Sequence, residues 1–414
     1  MDTTTTRMLR LTPDKAQYRP GEVVRIRVEC AVPEDVPPMV VRWEVCGPGR
    51  PAALRGSTTL VRETPGGPLQ AVLSLPAGEC GGGFGVFARS EAAGVRGETA
   101  FDVAGHWNEA PRYGFLSDFE PDETDDEDVE FANRHHLNVI QFYDWMYRHD
   151  ELLTDADPFT DPLGRTVSFA VIRRKIAALR ERGIASLGYA AVYASLPDYA
   201  RGRPDQLLYR NDVAAYRLGN YFCLMDISPG SAWAEHISDQ FRQAVEWGFD
   251  GLHLDQYGFP KRAIRKLPPH GDDGERFEAV RLKELYPALI ERTREKLPDA
   301  GLIFNNVGTY PVHTTASARQ DAVYIEVWDP VTRLQDVYAL VRRTRLLTAK
   351  PIILAAYLPA FHPDRPADPA AAENGAIVAM AAIFASGAYH LLLGENGGVL
   401  ADPYYPKYGK ASPA

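Results

Sequence analysis

The chain has 414 residues, 45% hydrophobic and 24% charged, with a formal net charge of −10. That length allows two or three domains of ~150 residues, or one barrel of ~250 with a companion. The acidic balance argues against nucleic acid as a partner, because neutralising phosphates takes a basic face. No run of ~18 apolar residues is present, so no membrane span is expected.

The leading MDTTTTRMLRLTPDK has neither the apolar core nor the cleavage site of a secretory signal. This leaves a cytoplasmic protein, or a secreted one whose leader has been removed. From about Met8 to Ala104 short strands are predicted. VVRIRVECAV (Val23–Val32) alternates branched apolar residues with charges, the period of a half-buried strand. Val40–Val45, Leu69–Leu75 and Gly85–Glu91 read similarly, between turns such as Arg19-Pro20-Gly21 and Pro65-Gly66-Gly67. The spacing predicts an immunoglobulin-like β-sandwich over residues 1–106. Three of the four cysteines, Cys30, Cys46 and Cys80, fall here and Cys223 falls later, with no zinc-site spacing. Thiols are expected; a disulfide in this region would leave one of its three cysteines over.

After Gly105 apolar runs alternate with amphipathic stretches, the rhythm of βα units. Eight strands are predicted, starting at Arg112, Leu137, Ile184, Phe249, Gly301, Ala322, Pro351 and Ala388. Between them, Phe169–Gly183 carries Ile172, Ile176 and Leu179 on one face and stops on a glycine. Ser231–Gly248 begins on a serine cap and also stops on glycine. The fold predicted for residues 107–414 is therefore a (β/α)8 barrel. The segment after the eighth strand, GENGGVLADPYYPKYGKASPA, is rich in Gly and Pro and has no helical period, so no closing helix is predicted.

Barrel active sites lie at the C-terminal ends of the strands. The fourth strand ends in His253-Leu254-Asp255-Gln256, and alternation points His253 and Asp255 into the lumen. The sixth ends in Tyr324-Ile325-Glu326-Val327-Trp328, with Glu326 inward. The second ends in Gln141-Phe142-Tyr143-Asp144-Trp145, and the fifth in Asn305-Asn306. Two carboxylates across one pocket are the minimal machinery for breaking a glycosidic bond, one attacking and one protonating. Asp255 is the expected nucleophile and Glu326 the acid/base, with aromatic neighbours such as Trp328 raising the pKa of Glu326 by desolvation. The surrounding aromatics suit the C–H faces of sugar rings. The bland alternatives are specific: Arg148 could simply pair with Asp144, and His253 could be a hydrogen-bonded core histidine. No GxSxG elbow, P-loop, HExxH or paired CxxC occurs, and DADPFTD (Asp155–Asp161) lacks the glycine and final Glu of a calcium loop. Neither metal nor cofactor is expected.

At these same residues the sequence resembles glycoside hydrolase family 66, the dextranases and cycloisomaltooligosaccharide glucanotransferases. The segments that carry the resemblance are QFYDWMYRHD (Gln141–Asp150), FDGLHLDQYG (Phe249–Gly258), NNVG (Asn305–Gly308), YIEVW (Tyr324–Trp328), PIILAAY (Pro351–Tyr357) and AIFASGAYHLLLGEN with DPYYP (Ala382–Pro406). YRPGEVV near the start looks like the opening of that family's leading β-domain. The resemblance implies an α-1,6-glucan or isomaltooligosaccharide substrate, internal cleavage and retention at the anomeric centre. It implies the nucleophile at Asp255 and the acid/base at Glu326. Tyr143, Asp144, Trp145, His253, Gln256, Asn306 and Trp328 are then the expected substrate contacts. The family's transferases carry a carbohydrate-binding module after the seventh strand. Only LPAFHPDRPADPA (Leu358–Ala370) stands there, which favours hydrolysis over cyclisation. The family's C-terminal β-domain is not expected within this chain.

Overall fold

The structure is a computed structural model describing residues 8–47, 54–78, 81–210, 214–268, 274–365 and 367–411. Cys80 lies outside the described residues. The chain forms two compact units, one of residues 1–109, 129–138 and 178–184, the other of the remainder.

The first unit is built on eight strands: Leu9–Pro13, Gln17–Tyr18, Val23–Cys30, Met39–Cys46, Leu54–Arg62, Leu69–Pro76, Gly82–Ser90 and Val95–Val103. All pair antiparallel except Gln17–Tyr18, which runs parallel to Val95–Val103. The alternation expected from Val23 holds residue by residue. Val24, Ile26 and Val28 are fully buried, while Val23, Arg25 and Arg27 face out. Val41, Leu60, Val86 and Phe101 complete this core. The turns at Gly21 and Gly66 take φ of 81° and 72°, where a Cβ would strain the backbone. The strands Leu54–Arg62 and Val95–Val103 were not anticipated. Ser, Thr and Gly fill their middles and burial is confined to one or both ends, so they lack the apolar alternation that marks a strand.

The second unit holds eight parallel strands that neighbour one another in chain order: Tyr113–Leu116, Val139–Phe142, Ala185–Ala191, Gly251–Asp255, Gly301–Val307, Ala322–Glu326, Ile352–Ala355 and Tyr389–His390. All eight predicted strands are present, the fourth to sixth buried on both faces up to their ends, as barrel strands require. A parallel bridge between Phe115 and Gly394 links the first and last strands into a nearly closed barrel. At that point Gly394 cannot carry a side chain, because a Cβ would stand 2.3 Å from the Phe115 ring. Glu395, next in the chain, accepts from the Ser117 amide at 2.8 Å, the Ser117 hydroxyl at 2.6 Å and the Asp118 amide at 3.1 Å. The helix Ala232–Trp247 starts where Ser231 accepts from the Ala234 amide at 3.1 Å and stops at Gly248, with φ of 151°. Residues 395–411 contain a 3-10 turn and a two-stranded pair, and no α-helix.

Candidate active site

Parallel pairing puts side chains of aligned residues on the same side of the sheet, so register fixes the lumen. His253 aligns with Tyr189 and Ile303, Asn305 with Tyr324, and Glu326 with Val307. Asp255, Asn305 and Glu326 therefore point inward near the C-terminal rim, Asp255 one pleat above His253 and Glu326 one pleat above Tyr324.

Asn305 joins the two carboxylates. Its amide nitrogen donates to Asp255 Oδ1 at 2.7 Å and to Glu326 Oε2 at 3.3 Å. A single atom in contact with both oxygens caps their separation at the sum of the two contacts, 6.0 Å. The remaining oxygens are also held. Asp255 Oδ2 accepts from the Tyr189 hydroxyl at 2.6 Å, and Glu326 Oε1 accepts from the Tyr357 hydroxyl. Each carboxylate keeps 8% exposure, so the pair is desolvated yet reachable. Burial raises both carboxyls above their ordinary range, and the charge on Glu326 raises Asp255 further.

Of the other expected contacts, Tyr143, Asp144 and Trp328 stand at the rim. Tyr143 stacks on Tyr405 with ring centres 4.4 Å apart. Asp144 adopts a left-handed backbone, φ 47°, and burial pushes its carboxyl up to about 7 although Arg165 lies 3.8 Å away. Arg148, the partner considered for Asp144, instead donates to the Tyr147 and Thr160 carbonyls. Trp328 is 43% exposed.

The other four expected contacts lie deeper and bond to the protein itself. His253 is 1% exposed, bonded through Nδ1 to the Tyr113 hydroxyl at 2.8 Å and layered between the Tyr113 and Tyr189 rings. Burial drives its pKa down to about 3, so it is a neutral core histidine. Trp145 follows the left-handed Asp144, which turns it outward. Its indole donates to the Tyr189 carbonyl at 3.0 Å and packs on Phe249. The absent side chain of Gly188 makes that room, since a Cβ there would stand 3.0 Å from the indole nitrogen. Gln256 has the opposite parity to Asp255. It donates to the Asn305 and Tyr310 carbonyls and accepts from the Gly258 amide. Asn306 likewise points away from the lumen, donating to the Phe304 and Tyr324 carbonyls and accepting from Thr315. Trp145, Gln256 and Asn306 have no exposed surface, and His253 keeps 1%.

The residues missed were Asn305, Tyr189 and Tyr357. Phe304 must face the helices, so alternation already implied that Asn305, not Asn306, faces the lumen. Tyr357 was legible in the same way from Ile353 and Ala355. Tyr189 sits mid-strand, and nothing local marks the reach of its hydroxyl to Asp255.

Known proteins give this arrangement a context. The chain is 27% identical over 294 residues to a cycloisomaltooligosaccharide glucanotransferase of Niallia circulans, covering 64% of this chain and 29% of that protein. A second glucanotransferase of the same organism is 26% identical over 269 residues, covering 60% and 27% respectively. The chain thus spans less than a third of the curated relatives it matches. The crystal structure of a Paenibacillus cycloisomaltooligosaccharide glucanotransferase complexed with cycloisomaltoheptaose superposes with a TM-score of 0.74 at 23% identity, covering 84% of this chain and 53% of that one. That likeness establishes the shared fold. The family model for glycosyl hydrolase family 66 matches residues 13–411, essentially the whole chain, and the protein belongs to that family.

Proposed function

We propose that this chain cleaves α-1,6-linked glucans internally and with retention of anomeric configuration, using Asp255 as nucleophile and Glu326 as acid/base. The observation that carries the reading is the Asn305 amide shared by both carboxylates, which holds Asp255 Oδ1 within 6.0 Å of Glu326 Oε2 and supports the shorter of two known spacings. Retaining glycosidases hold their carboxyls ~5–5.5 Å apart, whereas inverting ones leave ~6.5–9.5 Å for a water. The substrate half of the proposal rests on the family and on the relatives, which are cycloisomaltooligosaccharide glucanotransferases. In this reading residues 1–106 are an immunoglobulin-like sandwich, and residues 107–414 carry the chemistry.

Two buried like charges cannot both form readily, so the pair holds one proton near neutrality. In this reading Asp255 takes the charge, with Tyr189 donating to it at 2.6 Å and Asn305 at 2.7 Å. Glu326 keeps the proton. Asp255 attacks the anomeric carbon while Glu326 protonates the departing glycosidic oxygen, giving a β-glucosyl ester. Ester formation neutralises Asp255, and Glu326, now ionised, deprotonates the incoming water. Attack by water on the other side of the β-linkage restores the α configuration. Tyr143, Asp144 and Trp328 remain the proposed substrate contacts from the original set.

A second reading, transfer to a sugar acceptor with ring closure, is favoured by the relatives' activities. One experiment separates the possibilities. Dextran, pullulan, starch and isomaltooligosaccharides are incubated with the protein and with Asp255→Asn, and products are followed by chromatography and by NMR of the first-formed anomer. Linear α-anomeric isomaltooligosaccharides from dextran support the proposal, and cyclic products support transfer. A β-anomer first product, or turnover by Asp255→Asn near that of the parent, refutes the mechanism. Activity confined to another glycan redirects the substrate.

A further inference from the structure

The outer helices of a barrel bury one stripe against the strands and turn the opposite stripe to solvent. Two helices of this barrel do so with charge. Ala232–Trp247 turns out Glu235, Asp239 and Glu246, and Leu282–Lys296 turns out Glu284 and Glu295. The helix Pro369–Ala385, which follows the seventh strand, does the opposite. It buries Ala372, Ala376 and Ile383 and leaves larger apolar side chains outside. Ile377 is 62% exposed, Val378 52%, Met380 41% and Phe384 75%. Its one charged residue, Glu373, is half-buried. At its C-terminal end the Arg345 guanidinium donates to the Gly387 carbonyl at 2.7 Å, which sets Leu346, 85% exposed, beside the end of the helix.

The outward face has the spacing of a helix–helix seam. Ala370, Asn374, Ile377, Ala381 and Phe384 recur at steps of four and three, the period by which one helix lays a continuous stripe on another. All five are exposed. Laid antiparallel on a second copy about a two-fold axis, the stripe sets Ile377 opposite the other copy's Ala381 and Phe384 opposite the other copy's Asn374. Each layer joins a large side chain to a small one, and each contact is made twice, as a two-fold interface requires. The stripe carries no charge, so nothing in it repels its own copy.

The area fits the same occupant. At their exposures Leu346, Ile377, Val378, Met380 and Phe384 offer on the order of 600 Å². That is the upper end of the roughly 300–600 Å² patch found on a single chain. A stable pair takes ~800 Å² from each partner, and the exposed alanines Ala370, Ala371, Ala381 and Ala385 bring the face close to it.

We propose that this chain forms a two-fold dimer by antiparallel pairing of Pro369–Ala385, with Phe384 as its anchor and Leu346 at its margin. The helix lies on the outer wall of the barrel, so the carboxylates at the C-terminal rim stay open in both copies. The pairing stands apart from the proposed chemistry and holds whether or not the chain cleaves glucans.

Sedimentation equilibrium of the full chain between ~1 and ~100 μM tests it, with Phe384→Asp, Ile377→Asp and Phe384→Leu beside the parent. The parent is expected at twice the chain mass. Each aspartate variant is expected to raise the dimer Kd at least thirtyfold, the loss typical of an interface anchor. Circular dichroism and the urea midpoint should not move, because both side chains are exposed in the single chain. Phe384→Leu keeps an apolar anchor and should stay within fivefold of the parent. A parent that sediments as a single chain throughout, or with any stoichiometry other than two, overturns the proposal. So does a monomeric parent that floats with phosphatidylcholine vesicles, which would give the face to a lipid surface. A parent dimer left equally tight by both aspartate variants puts the contact elsewhere and overturns it as well.

Discussion

Asn305 divides one amide group between two carboxylates that repel each other, and its donor lowers the pKa of both. Removing it takes a preorganised donor from the place where charge moves during reaction. Such donors are worth about 10²–10³ in rate. Asn305→Ala is expected to lower kcat by ~10²-fold and to shift both limbs of the pH–activity profile upward, since both carboxyls lose a hydrogen bond that favours their charged form. A loss of rate with unmoved limbs would mean that Asn305 acts through substrate alone. The neighbouring Asn306 carries the opposite expectation. It ties Thr315 to backbone carbonyls of its own and the next strand, so its replacement by Ala should lower the denaturation midpoint before it alters the pH profile.

At the level of elements, closure of the barrel depends on a short eighth strand of two residues, Tyr389–His390, extended by a single bridge. Glu395 compensates by gathering three donors from the loop after the first strand, all within 3.1 Å. Its carboxyl is nearly inaccessible, so breaking the cluster leaves buried donors unpaired. Glu395→Ala is expected to cost about 2–4 kcal/mol, read as a shift in the urea midpoint at constant slope. A second constraint lies between the fourth and fifth strands, where a Cβ on Gly251 would stand 2.0 Å from the Gly301 carbonyl oxygen. That neighbour is backbone and cannot step aside. Gly251→Ala should destabilise by about 2–3 kcal/mol and displace Asp255, four residues along the same strand, so activity should fall with stability. Stability unaltered in Gly251→Ala would show that the strands can part there without loss.

Across the whole molecule, buried titratable groups pull stability in opposite directions with pH. Burial lowers His253 to about 3 and His149 to about 4. The unfolded imidazole takes a proton at ~6.5, so their contribution is complete above that value and is lost as pH falls below it. Asp144 is raised to about 7. The unfolded carboxyl titrates near ~3.9, so its contribution is complete below that and is lost as pH rises toward 7. The two sets act over the same window and partly cancel. Single variants uncover them: the stability gap between parent and His253→Gln should shrink by up to ~1.4 kcal/mol per pH unit on acidification below ~6.5. The gap for Asp144→Asn should move the other way. Melting temperatures between pH 5 and 8 check both, and parallel pH profiles for parent and variants would contradict these titrations.

The same separation of scales marks what the chain's order of residues determined alone. Eight apolar runs spaced by amphipathic helices were enough for the barrel, because burial on both faces leaves a strand little choice but to be apolar. Strand parity was enough to aim Asp255 and Glu326 inward, because a strand's side chains alternate. Parity also held the correct choice between Asn305 and Asn306. What it could not give was depth. His253 and Asp255 share a face, yet one is sealed among tyrosines and the other reaches the rim, and that depends on how far neighbouring strands extend past it. Nor could it foresee that a left-handed Asp144 would rotate Trp145 out of the site, or that Tyr189 would reach up a pleat to Asp255. Those outcomes rest on contacts between residues far apart in the chain, which only the closing of the barrel brings within hydrogen-bond distance.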